Sequence, residues 1–364
     1  MRKILLFILI VLCLPLNAQV SVTPEAGVSF QSVLINDEFD ASSAVLASSC
    51  TIASARLDAC IGLRFGESHK IQVGMDLYRD FGTRNEYPHL RLSAWYQMNR
   101  KSLTLALGVF PRSLMRGTYS TVILSDKARY YNALLEGFML QWCPGASVFE
   151  IALDWNGKLG DNRREEFNVV TAGKGVITPW LSVNWEGMFH HYACSYQVAG
   201  VVDDIIIHPF LCAELGQKTG LQLLSFSVGA IAGYQCDRAV KERYIPVGAD
   251  FVVEAKNWGV GLRNEAYYGA SQAPLYGKAD ANGVPYADNL YMRSSQWQVT
   301  PDGRSGFYDK ADIYWAPNIG KSVKIRLSFS AHWGYCGFIG HQETISVAVD
   351  LNQIRIGGKQ RKKE

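Results

Sequence analysis

The sequence predicts an all-β protein, an antiparallel transmembrane β-barrel of about sixteen strands, with fourteen or eighteen strands as the alternatives. Three observations lead to this prediction. The chain begins with an export signal. Apolar side chains then recur at every second position over segments of about ten residues. The connections between these segments alternate between short and long, as the periplasmic turns and outer loops of such barrels do.

The export signal occupies residues 1–18. Arg2 and Lys3 give it a positive start, and the apolar run Ile4–Leu14 has the length of a signal core and is too short to span a bilayer as a helix. Pro15 breaks this run, and the small residue Ala18 marks the expected cleavage point. No later apolar run is long enough for a transmembrane helix, so a membrane crossing would have to use strands.

The alternation is clearest from Ser322 to Trp333. Its odd-numbered residues are apolar and its even-numbered residues are polar, so a strand here has one apolar face and one polar face. The same pattern recurs in Arg56–Phe65, Lys70–Leu77, Leu90–Met98, Ser102–Val109, Phe149–Trp155 and Ile345–Asn352. Many of these apolar runs end in Trp or Tyr, as membrane interfaces favour.

The connections fall into two classes that alternate along the chain. The short ones are Gly66–His69, Asn99–Lys101, Cys143–Ala146, Gly216–Gly220, Asn257–Trp258 and Pro317–Lys321, and the long ones are Phe81–Pro88, Pro111–Asn132, Gly157–Arg164, Cys236–Ile245, Gly269–Ser305 and Gly334–Gln342. The resulting strands start near residues 21, 55, 70, 89, 102, 133, 147, 165, 179, 204, 221, 246, 259, 306, 322 and 343. The predicted barrel covers residues 19–356 with both ends periplasmic, and residues 357–364 form a basic periplasmic tail.

A soluble β-sandwich or lipocalin-like barrel is the alternative. It would need a very large core for so many amphipathic strands, and the polar faces carry bulky charges such as Arg91, Arg263 and Arg326. A water-filled lumen, the interior of a membrane barrel, accounts for both features.

Charge and cysteine content exclude some classes of function. The sequence has 36 basic and 33 acidic residues, with Arg2 and Lys3 in the export signal, so net charge gives no argument for nucleic acid. Of eight cysteines one lies in the signal, and none of the others forms a C-x-x-C pair. They are expected to fill strands as small residues, with a bridge between Cys236 and Cys336 as the alternative, and no metal site is expected.

This architecture resembles the sixteen-stranded porins of Gram-negative outer membranes, over essentially the whole mature chain and without a diagnostic motif. In those proteins the loop between the fifth and sixth strands folds into the lumen and narrows it, and here that loop is Pro111–Asn132. Two departures stand out. The acidic signature of the general-porin loop is absent, and the chain continues past Ile356 where many such proteins end on an aromatic residue.

The resemblance implies passive diffusion of small hydrophilic solutes across the bacterial outer membrane. It also implies contact with the lipid bilayer and lipopolysaccharide, insertion by the outer-membrane assembly machinery, and a homotrimer as an option. No cofactor is implied. The first alternative is a non-conducting structural or adhesion barrel, and a further one is a lipid-modifying barrel enzyme.

Charged residues are the candidate pore lining. The inward loop carries Arg112, Arg116, Lys127 and Arg129, and the lumen faces of nearby strands carry Arg56, Arg91, Lys324 and Arg326. The opposite wall carries Glu150, Asp154, Asp250 and Glu254. One hypothesis is a transverse field with mild anion preference. The alternative is scattered charges that keep the lumen wet.

The sequence also contains residues that would suit sugar binding or hydrolysis. The loop Gly269–Ser305 is rich in Tyr, Asn, Gly and Asp and suits sugar contacts, or is simply a solvated cap. Ser330 and His332 share a strand face, the spacing of a nucleophile and base, but that face points to the lumen whereas lipids lie outside. His190 and His191 lack a partner at metal-ligand spacing. The sequence therefore predicts no enzyme and no catalytic, cofactor-binding or metal residue.

Overall fold

The computed structural model describes residues 21–40, 49–83, 87–294, 297–300, 305–351 and 354–355. The export signal expected at residues 1–18 and the basic tail expected at residues 357–364 lie outside the described residues. Within the described part, no helix is long and apolar enough to cross a membrane.

The fold is one closed antiparallel sheet. Its strands are β1 Val22–Phe39, β2 Cys50–Phe65, β3 His69–Asp80, β4 His89–Arg100, β5 Leu103–Pro111, β6 Leu134–Trp142, β7 Val148–Gly157, β8 Glu166–Thr178, β9 Leu181–Tyr192, β10 Val202–Glu214, β11 Leu223–Asp237, β12 Glu242–Tyr244, β13 Val247–Asn257, β14 Val260–Ala270, β15 Ser305–Trp315, β16 Val323–Gly334, β17 Gly337–Asp350 and β18 Ile354–Arg355. Sixteen of them are long, and only β12 and β18 are short. Each long strand pairs with its sequence neighbours, and β1 pairs with both β2 and β17, which closes the barrel. The predicted sixteen-stranded antiparallel barrel is confirmed.

The few helices lie in connections. In the described part of the chain they include a 3-10 turn Arg112–Leu114 and three short α-helices, α1 Asp126–Tyr131, α2 Gly216–Thr219 and α3 Ala287–Leu290.

The two faces of the wall have opposite character. In β3, Ile71 and Val73 are each 50% exposed on the outside, whereas Gln72 is 5% exposed and Asp76 is fully buried. This inverts the pattern of a soluble barrel, because apolar side chains face outward and polar ones face the lumen. Outward apolar side chains and closed backbone pairing are what a membrane-spanning sheet requires.

The ends of the barrel differ in their connections. At one end β13 and β14 are joined by Trp258 and Gly259, with φ of 49° and 84°. Two successive positive φ values are typical of a tight hairpin turn whose twist matches that of the strands. At the other end lie long loops, above all residues 112–133 and the connection between β14 and β15, which is described over residues 271–294 and 297–300. The short-turn end is therefore assigned to the periplasm and the long-loop end to the outside.

Strand boundaries agree with the sequence prediction except at three outer ends. The predicted loop Cys236–Ile245 is partly wrong, since β11 extends to Asp237 and the short strand β12 lies within it. β2 begins at Cys50 and not near residue 55, because β1 extends far enough for Asp37 to pair with Cys50. The predicted outer loop Gly334–Gln342 is wrong, since β17 already begins at Gly337. A bulge between His332 and Trp333 carries the ladder through this non-alternating stretch, so the pattern alone did not reveal it.

Candidate functional site

The first inward loop, residues 112–133, crosses the lumen between β5 and β6. At its tip Val122 is fully buried and Ile123 is 1% exposed. Both belong to one apolar cluster with lumen-facing side chains of β4 to β11, among them Trp95, Met139 and Ile206. The structure thus places the loop inside the barrel, where it fills one side of the lumen with an apolar plug.

Buried carboxylates of the wall hold the middle of this loop. Glu150 accepts hydrogen bonds from the backbone amide of Arg116 at 2.7 Å and from the Tyr119 hydroxyl at 2.8 Å. Glu186 accepts the backbone amide of Ser120 at 2.5 Å as well as the Ser120 hydroxyl. These lumen acids satisfy loop donors that burial would otherwise leave without partners.

The far end of the loop, with α1, is tied to β1 and β2. Ser125 caps α1 by accepting the amide of Ala128 at 3.1 Å. The Tyr130 hydroxyl donates to Ser54 at 2.8 Å, and Lys127 lies 2.9 Å from an Asp37 oxygen. Burial lowers the pKa of Lys127, but its hydrogen bonds to the Cys50 thiol and to Asp37 outweigh this and raise the pKa overall. Lys127 is therefore a charged tether between the plug and the wall.

The second inward loop, described here as residues 271–294 and 297–300, enters the lumen from the opposite side. Arg293 and Asp204 form an ion pair in which the two side chains are 1% and 0% exposed. The Tyr291 hydroxyl donates to Gln235 at 2.5 Å. Fully buried Trp297 packs edge-to-face on Tyr267, with ring centroids 5.1 Å apart. Buried charges and aromatic rings thus anchor this loop to the wall.

The two loops meet inside the barrel. The amide of Ser125 donates to the carbonyl of Met292 at 2.8 Å, and the amide of Ser294 donates to the carbonyl of Thr121 at 3.0 Å. The indole of Trp297 also donates to the Thr121 hydroxyl at 3.0 Å. Backbone and side-chain bonds therefore join the two loops into one internal partition.

A polar cavity of about 1020 Å³ remains between this partition and the wall formed by β1 and β14–β17. It reaches Phe39 and His332 near the outer ends of their strands. Towards the periplasm it reaches Arg263 and Arg326, each three residues after its strand begins. Lys324, nearer that mouth, is exposed. The cavity therefore occupies most of the height of the barrel on its polar side.

The charges that line the cavity are balanced. The basic side chains are Arg91, Lys127, Arg129, Arg263, Arg293, Lys310 and Arg326, and the acidic ones are Asp37, Asp126, Glu136, Glu166, Glu265, Asp288 and Asp312. Several are paired with each other, as in Arg263 with Glu265 at 2.8 Å. Arg326 instead stacks over the Tyr314 ring, 3.9 Å from its centroid. Both signs of charge face the same space.

The twelve predicted pore residues separate into two groups. Arg91, Lys127, Arg129 and Arg326 line the cavity. The other eight, Arg56, Arg112, Arg116, Glu150, Asp154, Asp250, Glu254 and Lys324, do not. Arg112 of the first inward loop pairs with Asp154 of β7. Arg56 pairs with Asp76 of the neighbouring strand at 2.8 Å and also donates to the carbonyl of Tyr130 in the first inward loop, so these charges hold the wall and the plug together.

The acids of the predicted opposite wall have similar structural roles. Glu150 binds the first inward loop, Asp250 accepts from His208 at 2.9 Å, and Glu254 accepts from the Tyr314 hydroxyl. Sequence alternation showed that these side chains face the lumen. It could not show that the first inward loop would cover Glu150, because that depends on how the loop folds.

The structure also locates the serine, histidine and cysteine residues that the sequence analysis considered. Ser330 and His332 face the lumen cavity. His190 is fully buried in the lumen, 3.3 Å from Glu166. Cys236 is buried in β11 and its thiol is free, so the alternative of a bridge to Cys336 is not realised.

A polar pair that sequence reasoning missed lies on the outside of the barrel. Trp155, Phe167, His191 and Asp203 are successive cross-strand neighbours on the outward face, at the long-loop ends of β7 to β10. The Nδ1 atom of His191 lies 2.8 Å from Asp203, and the imidazole stacks on Phe167 with centroids 4.9 Å apart. Arg238 donates from Nε to the same carboxylate at 2.8 Å. The signal available in the sequence was two polar residues at outward positions of their strands.

The fold has solved relatives. OmpT, an outer membrane protein of Vibrio cholerae, is similar to this chain in three structures, each with 8% sequence identity. Its loop L8 deletion mutant gives a TM-score of 0.55 and covers 90% of this chain and 99% of its own. Its in-vitro folded trimer form gives a TM-score of 0.54 and covers 91% of this chain and 99% of its own. The outer-membrane expressed protein gives a TM-score of 0.52 and covers 90% of this chain and 98% of its own. The chain therefore has the fold of outer-membrane porins.

Comparison of the sequence gives a different indication. No curated protein matches it. A family model described as Lipid A 3'-O-deacylase-type matches residues 27–200, a little under half of the chain. Because that description names an enzyme, this match overturns the expectation that the chain is not an enzyme.

Proposed function

We propose that this chain is an outer-membrane channel through which small hydrophilic solutes diffuse passively. The observation that supports the proposal is the polar cavity of about 1020 Å³ beside the partition. Its walls carry charged and hydroxyl side chains from strands that cross the membrane, whereas the other side of the lumen is filled by apolar packing. In the described part of the chain, this cavity therefore offers water and polar solutes a route along β1 and β14–β17.

Liposome swelling tests this proposal. Vesicles that contain the folded barrel should swell in isotonic solutions of small sugars and amino acids, and should swell more slowly as solute size increases. The partition narrows the lumen, so large oligosaccharides should be excluded. Vesicles that swell no faster than protein-free vesicles, with the barrel folded, would contradict the proposal.

We propose that ion selectivity is weak and that any preference is for anions. The numbers of acidic and basic side chains in the cavity are equal, which argues against a strong field. Arg326 rests on an aromatic ring and not on a carboxylate, so its charge is less compensated than that of Arg263. The sequence suggested a mild anion preference, and reversal potentials in a salt gradient would measure it.

The proposed partners follow from the porin fold. The outward apolar face requires a lipid bilayer, with lipopolysaccharide around the outer rim and the outer-membrane assembly machinery for insertion. One OmpT structure is of a trimer form, and we propose the same state for this chain. Native mass spectrometry in mild detergent should give a trimer mass, and a monomer at every concentration would contradict it.

A second candidate function, hydrolysis of acyl esters in an outer-leaflet lipid, is favoured by two observations. The family model names a deacylase, and the His191–Asp203 pair occupies outward positions at the long-loop end of the barrel. Asp203 fixes Nδ1 of His191, which leaves Nε2 to act as a general base. His191 would take a proton from water as the hydroxide adds to the ester carbonyl, and would return it to the departing alkoxide, giving a carboxylic acid and an alcohol.

Acyl release from purified lipid A in mixed micelles, followed by mass spectrometry, tests this candidate. His191→Ala should abolish release, since a general base typically contributes roughly 10²-fold or more in rate. His69→Ala is the matched control, because His69 occupies an outward position at the opposite end of the barrel. Acyl release by the His191→Ala variant, or the absence of release by the wild type, would contradict this candidate function.

A further inference from the structure

The cavity wall contains a cluster of three polar side chains that the channel proposal does not use. Asp312 pairs with Ser330, and Lys310 pairs with His332, in the register of β15 and β16. Asp312, Ser330 and His332 therefore follow one another on the lumen face of two neighbouring strands, and all three line the cavity. We call these three residues the β15–β16 cluster.

The side chains of the cluster are buried, and two of their polar atoms lack hydrogen-bond partners. Asp312, Ser330 and His332 are 6%, 2% and 1% exposed. Within the described part of the chain, Oδ1 of Asp312 and Nε2 of His332 have no hydrogen-bond partner. Buried polar atoms of proteins are nearly always paired, so two unpaired atoms on neighbouring strands of one cavity wall point to a ligand.

The contact with Tyr308 decides what His332 offers. The Tyr308 hydroxyl, which is buried, lies 2.8 Å from Nδ1 of His332. When the hydroxyl donates to Nδ1, the buried hydroxyl proton has a partner, and the proton of the neutral ring lies on Nε2. The cluster thus presents an N–H donor on His332, a carboxylate acceptor on Asp312 and a hydroxyl on Ser330.

The surroundings set the charge of the ligand. Lys310 lies 3.6 Å from Oδ1 of Asp312 and compensates its charge, so the cluster has little net charge to offer an ion. Phe39, edge-on to His332 with centroids 5.1 Å apart, adds an apolar surface beside the polar groups. A neutral molecule with several hydroxyl groups, each able both to donate and to accept, matches this set of groups.

We propose that the β15–β16 cluster is a binding subsite for a neutral polyhydroxylated solute of the sugar class. The proposal rests on the channel function, since the solute would reach the subsite through the cavity. It gives that channel a preferred substrate class and places recognition on the barrel wall.

Single-channel recording with glucose on one side of the bilayer tests the subsite. Glucose should produce resolved interruptions of the ion current, whereas triethylene glycol, a neutral solute of similar size with few hydroxyls, should not. Ser330→Ala and Asp312→Asn should each weaken the glucose effect roughly tenfold, as expected for one lost hydrogen bond, partly to a charged group. Ser328→Ala is the matched control, since Ser328 lines the same cavity on the same strand.

The outcomes separate the two proposals. A conducting barrel on which glucose and triethylene glycol act alike overturns the subsite and leaves the channel. Interruptions by an amino acid but not by glucose also overturn it, because the site would then be zwitterion-binding. If the folded barrel does not conduct, the channel proposal fails, and equilibrium dialysis with labelled glucose still decides the subsite. Binding that Ser330→Ala removes would support it, and no binding would overturn it.

Discussion

The backbone amide of Ser294 donates a hydrogen bond to the carbonyl of Thr121 at 3.0 Å, which joins two loops that are far apart in the sequence. The first loop is also anchored on one side to β7 and β9, through Glu150 and Glu186, and on the other side to β1, through Asp37. The second loop is anchored to β10 through Asp204. The lumen is consequently divided by a partition with anchors on both sides. The width of the pore should depend on this junction.

Trp297→Ala should widen the channel. The substitution removes a fully buried indole that packs on Tyr267 and donates to Thr121, a loss of about 3–5 kcal/mol for a large aromatic in a core. We expect larger and noisier single-channel steps because the two loops separate. Trp258→Ala is the control, since Trp258 is 86% exposed in a periplasmic turn. Unchanged steps from a folded Trp297→Ala barrel would show that the junction does not set the width.

Gly117→Val should displace the first inward loop. A Cβ atom at Gly117 would lie 2.6 Å from the Cβ of Ala172 and 2.7 Å from an oxygen of Glu150, so the loop could not stay in place. We expect increased protease cleavage within residues 112–133 and a larger conductance. Gly277→Val, in the second inward loop, is the matched control because nothing lies within 4 Å of the position. Equal cleavage of both variants would argue against the tight docking described here.

Arg326→Glu should shift the channel towards cations. Arg326 lines the cavity, so reversing its charge changes the field along the whole solute path. We expect the cation-to-anion permeability ratio, measured from the reversal potential in a salt gradient, to rise severalfold. Lys324→Glu should have a smaller effect, because Lys324 is exposed at the mouth, where salt screens it. An equal effect at both positions would mean that the ion path is not confined to the cavity.

The attachment of the second inward loop should weaken in acid. Burial raises the pKa of Asp280, but hydrogen bonds from the amides of Val284 and Asn282 and from Arg164 outweigh it, and the pKa falls below its ordinary 3.8. A lowered pKa stabilises the folded loop above pH 3.8, and this contribution is lost as the pH falls through the lower value. Gating noise should therefore rise below pH 3.8 in the wild type.

Asp280→Asn provides the comparison for this pH effect. An amide cannot titrate, so the variant should be noisier at neutral pH and should change little on acidification. A wild-type channel as quiet in strong acid as at neutral pH would contradict a role for the Arg164–Asp280 pair.

The wall of the barrel was predictable from sequence because its information is local. Alternation in segments such as Val323–Trp333 assigns each side chain to the lumen or to the lipid face, and turn lengths fix the direction of each strand. The contents of the lumen were not predictable in this way. In the sequence, Met139 and Ile206 occupy strand positions that face the lumen, like many others. Only the folded structure shows that they pack against the first inward loop.

Function was less predictable for the same reason. Arg112 and Glu150 were expected to face an open pore, yet each is used to hold the first inward loop. His191 and Asp203 lie on neighbouring strands, so the spacing of residues within one segment could not predict their contact. The expectation of no enzyme rested on the absence of local motifs, and the deacylase-type match shows that this reasoning was wrong.

The most direct test of the channel is the conductance of the barrel with the cavity narrowed by one side chain. Ser346 lines the cavity, and its neighbour Ile345 is 47% exposed on the lipid face of the same strand. In planar bilayers the wild type should give stable current steps, Ser346→Trp should reduce them clearly, and Ile345→Trp should leave them unchanged. A folded wild-type barrel that stays silent, or steps that Ser346→Trp does not alter, would contradict the proposal that solutes cross through this cavity.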